Sequence, residues 1–507
     1  MTSVPRPPDG EAWDLLVVGA GSAGLVGART AASFGASVLM VERERPGGDC
    51  LWTGCVPSKA LLAAASAAAD ARAAARLGVH ADRVRVDFAA VMAHVRTAIA
   101  AIEPVDSANA MRAAGAAYAA GTATFTGQAS AEVDGVAVRF RQALIATGSD
   151  PAVPPIPGLA AAGGAVLTSD TVWDLTALPE RLVVLGGGTV GCELGQAFAR
   201  LGSAVTVVEM ADRLLGGEDP DAARLVTEAL QGDGATVLTG AAVEAVEAGG
   251  VEAGGVEGGG ARSGITVVLG DGRRVATDRV LVATGRRPDT RGLGLDAAGV
   301  ASGGGFVTVD AHLRTTNPRI WAAGDVTGHP QFTHVAGLHG STAASNAVLG
   351  LRRAAQVTAI PRVTFTSPEV ASVGVPPGTA GTTTRTRGHD EVDRAVAEGR
   401  TAGFTRLVLD RRGRVVGATV VGPRAGETLA ELTLAVRRGL RARDLAGVMH
   451  PYPTWGDGPW NAALAEVRAQ LARPVVRAAT RGLAAVRRRG PDRRGLPGAR
   501  SGTRDRR

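Results

Sequence analysis

The sequence predicts an α/β protein: two open parallel-sheet units built to one plan, followed by a smaller antiparallel α+β module. Three observations predict it. A glycine-rich turn joins an apolar strand to a helix twice, at 19–24 and 186–191. In each case a glutamate, Glu42 or Glu209, ends the next apolar strand 23 positions after the first glycine. From Pro361 onward, strands separated by charged turns replace the alternation of strand and helix.

In the first unit, Asp14-Leu15-Leu16-Val17-Val18 is a strand running into Gly19-Ala20-Gly21-Ser22-Ala23-Gly24. A helix follows to about Phe34, Gly35 stops it, and a second strand ends at Glu42. This is the Rossmann fingerprint in its proper context. The glycines allow a tight turn and close approach of backbone to a pyrophosphate. The helix N-terminus stabilises phosphate charge, and the acid takes ribose hydroxyls. The second unit repeats it with a strand at 181–185, Gly186-Gly187-Gly188-Thr189-Val190-Gly191, a helix to about Leu201 and a strand to Glu209. Two such units mean two dinucleotides. Each unit closes on an Ala-Thr-Gly turn, Ala146-Thr147-Gly148 and Ala283-Thr284-Gly285. Between the second core and its closing turn, 241–264 is rich in Val, Glu and Gly, and is read as an exposed flexible loop. A further strand, within 316–323, ends on Gly324-Asp325, and a helix starts around Thr333 to Ala336. In the C-terminal module, Val363 to Val375, Phe404–Asp410 and Val415–Val421 read as strands and about 425–439 as a helix.

Composition narrows the class. A chain of 507 residues suggests about three domains. The formal charge of +7 is misleading: from Arg473 to Arg507 there are twelve Arg and two Asp, a net +10, so the body carries −3. The basic character belongs to a tail, and no nucleic-acid partner is inferred from it. The tail, 469–507, is expected to be disordered, although Arg473, Arg477 and Arg481 would share one helical face and touch an anionic surface. Nothing before Trp13 resembles a signal peptide, no apolar run is expected to reach membrane-spanning length, and no stable membrane insertion follows. Three cysteines argue for a reducing cytoplasm.

Two of those cysteines, Cys50 and Cys55, are separated by four residues in Gly47-Gly48-Asp49-Cys50-Leu51-Trp52-Thr53-Gly54-Cys55-Val56-Pro57-Ser58-Lys59, at the head of an alanine-rich helix. The spacing suits zinc poorly, no second pair exists, and no metal site is expected. A redox disulfide is the better reading, because a thiol at a helix start has its pKa lowered. Lys59 is the only lysine among 55 basic residues, which points to a site where a planar guanidinium would not serve.

The segment 47–59 closely resembles the redox-active site of the class I pyridine nucleotide-disulfide oxidoreductases, which include lipoamide dehydrogenase, glutathione reductase and mercuric reductase. The resemblance spans about residues 12 to 465. It implies an FAD-binding domain from 1–155 and 285–355, an NAD(P)-binding domain from 156–284, and a dimerisation domain from 356–468. The implied cofactors are FAD and NAD, with NADP less favoured because Glu209 accepts hydrogen bonds from a free 2′-hydroxyl and repels a phosphate, Arg213 partly offsetting it. To the cofactor sites it assigns Gly19, Gly21, Gly24, Glu42, Gly48, Lys59, Thr147, Gly148, Gly186, Gly188, Gly191, Glu209, Gly285, Asp325 and Thr333. Electrons would pass from NAD(P)H through the flavin to the disulfide by way of Cys55, leaving Cys50 as the outward thiol. Lys59, matched with Glu193, would sit beside the flavin's reactive nitrogen. Cys192 is then a packing residue, His334 a lining histidine, and Thr189 a small residue where several relatives carry a tyrosine gate.

The C-terminal motif departs from the pattern. Thiol-disulfide members carry His-Pro-Thr-x-x-Glu, and registering on Pro453-Thr454 puts Tyr452 in the histidine's place and Asp457 in the glutamate's. His450 lies two residues early. A phenol with an ordinary pKa near 10 is a poor base beside an imidazole near 6.5. Mercuric reductases resemble this chain in that tyrosine, yet they bring further cysteines, whereas no Cys follows Cys192 or precedes Cys50. The implied protein is a homodimer, each C-terminal motif completing its partner's site, with a disulfide, a metal ion or another small molecule as acceptor. The alternatives are a quinone or dye reductase using the flavin directly, and a non-catalytic redox sensor docking through its basic tail.

Overall fold

The computed structural model describes residues 4–248 and 264–489. Its first sheet has the parallel order Ala116–Ala120, Val38–Glu42, Trp13–Val18, Val136–Ile145, and Ile320–Ala322 returns to pair with Val136–Ile145. An antiparallel ribbon, Ala123–Gly127 and Ser130–Val133, continues from the long strand. Leu15, Leu16 and Val17 are fully buried on both sides of the sheet: Leu15 and Val17 pack under helices, and Leu16 packs against the antiparallel ribbon through Phe125, Ala131 and Val133. One cover is Ser22–Ser33, packed on Thr333–Leu349. The second sheet, also parallel, runs Thr236–Leu238, Ala204–Val208, Arg181–Leu185, Arg279–Val282, Val166–Thr168. The third is antiparallel, in the order Arg362–Thr364, Glu369–Gly374, Val415–Gly422, Phe404–Leu409, Thr383–Gly388, and the helix Ala425–Arg438 packs on it.

Four sequence expectations change. The reading of 241–264 as a loop fails at its start: Val243–Ala248 is a strand paired with Ile265–Leu269, burying Val246 while Glu244 and Glu247 stay in solvent. Residues 249–263 lie outside the described residues. The disordered-tail expectation fails over 474–489, where Pro474–Arg489 is a helix with proline in its first turn, the position proline tolerates best. Residues 490–507 lie outside the described residues. The helical run Phe88–Ala113 is long and apolar enough by composition to cross a membrane, contrary to expectation. It buries Phe88, Met92 and Val95 in the core shared with the helix Cys55–Ala73. Finally, the single strand read from Val363 to Val375 is two, split at the Thr366–Pro368 turn, and Thr383–Gly388 is an edge strand of threonines and arginines that showed no apolar alternation.

Candidate active site

Cys55 is the first residue of the helix Cys55–Ala73, and Cys50 lies in the short helix Gly48–Trp52 just before it. The start of a second helix, Thr333–Leu349, meets the first one here: the Thr333 hydroxyl is 3.2 Å from Cys55 Sγ. Two helix N-termini therefore converge on one sulfur, and both present their positive ends to it. The cysteines stand as free thiols in hydrogen-bond contact, a dithiol rather than a closed disulfide. Donation from Cys50, then from Thr333, with Lys59 nearby, pulls the Cys55 thiol down to about 6 against the opposing effect of burial. Holding its proton for Cys55, and buried, Cys50 is pushed up. One sulfur is a thiolate at neutral pH and the other keeps its proton.

Lys59 lies one turn further along the same helix. Its Nζ donates to Glu193 Oε2 at 2.9 Å and to Ser58 Oγ at 3.3 Å, and it lies 4.2 Å from the centre of the Phe365 ring. Glu193 is on the helix Thr189–Leu201 of the second nucleotide unit and is buried, its other oxygen accepting from Phe365 N at 2.9 Å. Three parts of the chain thus meet at one ammonium. Cys192, the neighbour of Glu193, is wholly buried, and burial pushes its thiol up to about 12. It packs and is inert.

These residues line a cleft of about 720 Å³ that runs back to the first glycine turn. Gly19, Gly21, Glu42, Gly48, Thr147, Gly148, Asp325 and Thr333 also line it. The two glycine turns are built alike. A Cβ on Gly19 would fall 2.4 Å from Ala146 O, and one on Gly186 2.5 Å from Ala283 O, so each turn abuts its Ala-Thr-Gly closer. A Cβ on Gly24 or Gly191 would fall 1.9 Å from the carbonyl oxygen of Gly19 or Gly186, which is how the helix comes to lie against its strand. By contrast, a Cβ on Gly188 would meet nothing within 4 Å, and one on Gly21 would make only an ordinary contact, 3.9 Å from Gly48 Cα. Glu42 Oε2 accepts from Ala20 N at 2.7 Å, and Glu209 Oε2 from Gly187 N at 2.6 Å. The acid predicted at a ribose therefore also braces the turn that faces the phosphates.

A sequence profile of the pyridine nucleotide-disulphide oxidoreductases matches residues 13–340, and one of their dimerisation domain matches 360–463. The chain belongs to the pyridine nucleotide-disulphide oxidoreductases. A mercuric reductase of Streptomyces lividans is 41% identical over 462 residues, 88% of this chain and 94% of that one. A dihydrolipoyl dehydrogenase of Geobacillus stearothermophilus is 35% identical, over 89% and 95% of the two chains. Among solved structures, LpdA from Mycobacterium tuberculosis superposes with a TM-score of 0.79 at 29% identity, covering 89% of this chain and 99% of its own. Members of the family are FAD-dependent enzymes with NAD(P)H as electron donor, and so is this oxidoreductase. Its residues fit FAD: the first glycine turn opens through Gly21 onto the cleft, where a Cβ would meet no protein atom nearer than 3.9 Å, and the same cleft continues to Cys55 and Lys59.

Not every predicted site residue lies in this cleft. Gly186, Gly188, Gly191, Glu209 and Gly285 belong to the second nucleotide unit, and Gly24 sits behind the first turn. Tyr452 and Asp457 lie in the C-terminal unit, outside the cleft of their own chain. Tyr452 is 72% exposed and donates to Asp393 Oδ2 at 2.6 Å, which raises its phenol pKa. Asp457 is buried at the first turn of its own helix, accepting from Thr454 N at 3.3 Å. His450 turns inward to Glu431, 3.1 Å away.

Sequence reading missed a polar cluster beside Cys50. Arg286 contacts Asp49 and donates to Ser149 Oγ at 2.7 Å, and that hydroxyl donates to Asp325 Oδ2 at 2.7 Å. Burial pushes the Asp49 carboxyl up to about 6, Arg286 opposing it. The available signal was position: Asp49 precedes the redox cysteine, and Arg286 follows a closing turn.

Proposed function

We propose that this oxidoreductase uses NADH to reduce a small thiophilic acceptor, with a divalent soft metal ion favoured over an organic disulfide. Cys50 and Cys55 form the exchanging pair, Lys59 holds positive charge beside the flavin site, and Glu193 fixes Lys59. When bound, FAD supplies the two-electron relay between nicotinamide and sulfur. Adding a hydride's two electrons and one proton to the disulfide breaks the S–S bond, giving the Cys50 thiol and the Cys55 thiolate. Passing two electrons to a divalent ion restores the disulfide, releases the Cys50 proton and leaves the metal uncharged. Cys55 is already set for this by its helix start, Thr333 and Cys50.

The observation that carries the choice of acceptor is Tyr452. Organic disulfide exchange needs a base for the attacking thiol and an acid for the leaving one, and an exposed phenol tied to Asp393 serves neither near neutral pH. A metal ion bound by sulfur displaces the thiol proton without that help. Each Tyr452 would face the partner subunit's cleft in the dimer. Without cysteines beyond 192 to deliver a metal, the ion would arrive as a complex with small free thiols. The preference for NADH rests on Glu209, held between Gly187 N and Ala211 N, while Arg213 is occupied with Gly216 O. The reducing cytoplasm is part of the same proposal, since the working form is a dithiol.

The test is anaerobic titration of the purified protein with NADH and then NADPH, followed by mercuric ion in excess small thiol and, separately, oxidised lipoamide. NADH bleaching with faster reoxidation by the metal supports the reading. Faster reoxidation by lipoamide overturns the acceptor and leaves the flavoprotein assignment intact.

A further inference from the structure

We propose that the helix Pro474–Arg489 is a peripheral membrane-binding element that lies in the plane of an anionic lipid surface. The helix follows the last element of the dimerisation domain and leaves three of its four large apolar side chains uncovered, Val476 alone being partly buried. Val475, Leu483 and Val486 are 81%, 69% and 70% exposed. At 3.6 residues per turn, Val475, Ala479, Leu483 and Val486 fall within an arc of about 80°. Arg477, Arg481 and Arg488 fall within an arc of about 40° centred opposite it, and Arg473 and Arg487 lie between the two faces.

That division identifies the occupant. Nucleic acid would use the arginines and leave the valines and leucine in water, and an apolar protein groove would leave the arginines unanswered. A bilayer with anionic headgroups satisfies both faces, taking the apolar residues to the acyl boundary while the long arginine stems reach the phosphates. Charge supports the same partner: the segment from Arg473 carries +10 against −3 for the rest, so the attraction is confined to one end of the enzyme. At 16 residues the helix is roughly 24 Å long, short of the ~30 Å hydrocarbon core and too charged to cross it. It therefore lies on the surface rather than across the bilayer. An isolated helix of this length is marginal in water, so docking its apolar face also stabilises it.

The experiment uses the full-length holoenzyme with sedimented vesicles of phosphatidylcholine alone or with a third phosphatidylglycerol. Four proteins are compared: the whole chain, a chain ending at Ala472, Leu483→Asp with Val486→Asp, and Arg477→Gln with Arg481→Gln and Arg488→Gln. NADH-dependent dye reduction, which none of these changes touches, confirms that each protein is intact. Expected are at least tenfold tighter binding to the anionic vesicles, loss of binding on truncation, a tenfold or greater loss with the paired aspartates, and about fivefold per arginine removed. Three results overturn the proposal. Unchanged binding by the aspartate variant would mean simple polyanion attraction, which duplex DNA would share. Unchanged binding by the truncated chain would place the lipid site elsewhere. A whole chain that ignores both vesicles while truncation splits the dimer would mean that a second copy covers the helix.

Discussion

Replacing Cys50 isolates what holds Cys55 as a thiolate. Its largest support is the hydrogen bond from Cys50, with Thr333 at 3.2 Å as a second donor. A hydrogen bond to a charged group is worth about 1.5–3 kcal/mol, and sulfur lies at the weak end. At 1.36 kcal/mol per unit, Cys50→Ala should raise the Cys55 pKa by about one unit. The reactive fraction of a thiol is its deprotonated form, so the midpoint of alkylation moves upward from about 6 toward about 7. Cys50→Ser keeps an O–H donor, so its midpoint stays within about half a unit of the parent's. The assay is the pH dependence of iodoacetamide labelling in the reduced variants. It reads Cys55 alone, because the remaining thiol, Cys192, is wholly buried and shifted to about 12. An alanine variant with a midpoint at or below the serine variant's would refute the reasoning.

Three further substitutions test the rest of the site. Lys59→Met breaks the 2.9 Å pair with buried Glu193, whose gross attraction at an effective dielectric near 20 is about 6 kcal/mol. Most of that offsets desolvation, and Lys59 is 39% exposed, so about 2 kcal/mol of denaturant stability should be lost. A change under about 0.5 kcal/mol would show the pair to be structurally idle. Glu209→Ala should raise the NADH KM about tenfold and lower the NADPH KM, since it removes the ribose acceptor and the repulsion together; steady-state dye reduction measures both, and a parent enzyme preferring NADPH would reject the argument. Tyr452→His should speed lipoamide reduction by at least about a hundredfold if a positioned base is what is missing, and no gain would mean something else limits that substrate.

The features that could be read from the chain were those whose chemistry fixes spacing. The paired glycine turns and their glutamates were legible because a tight turn, a close helix and a bracing acid each require a particular residue at a particular step. The structure gives the reason a second time in Gly19 and Gly186, whose missing Cβ atoms make room for the two closing turns. Cys50, Cys55 and Lys59 were legible because they follow one another within ten residues, in a short helix and the start of the next. Glu193 could be paired with Lys59 only through resemblance, since 134 residues separate them. The Asp49–Arg286–Ser149–Asp325 cluster was not legible, because common polar residues from four distant segments carry no joint signal in one sequence. The C-terminal helix is masked for a different reason. Its arginines and scarcity of large apolar residues lower mean hydropathy and hide the period. Alanine and arginine both favour helix, and the apolar positions 475, 479, 483 and 486 recur at three and four residues. A period of 3.6 in a strongly charged segment predicts a helix with two unlike faces, which is a statement about a surface it meets as much as about the chain.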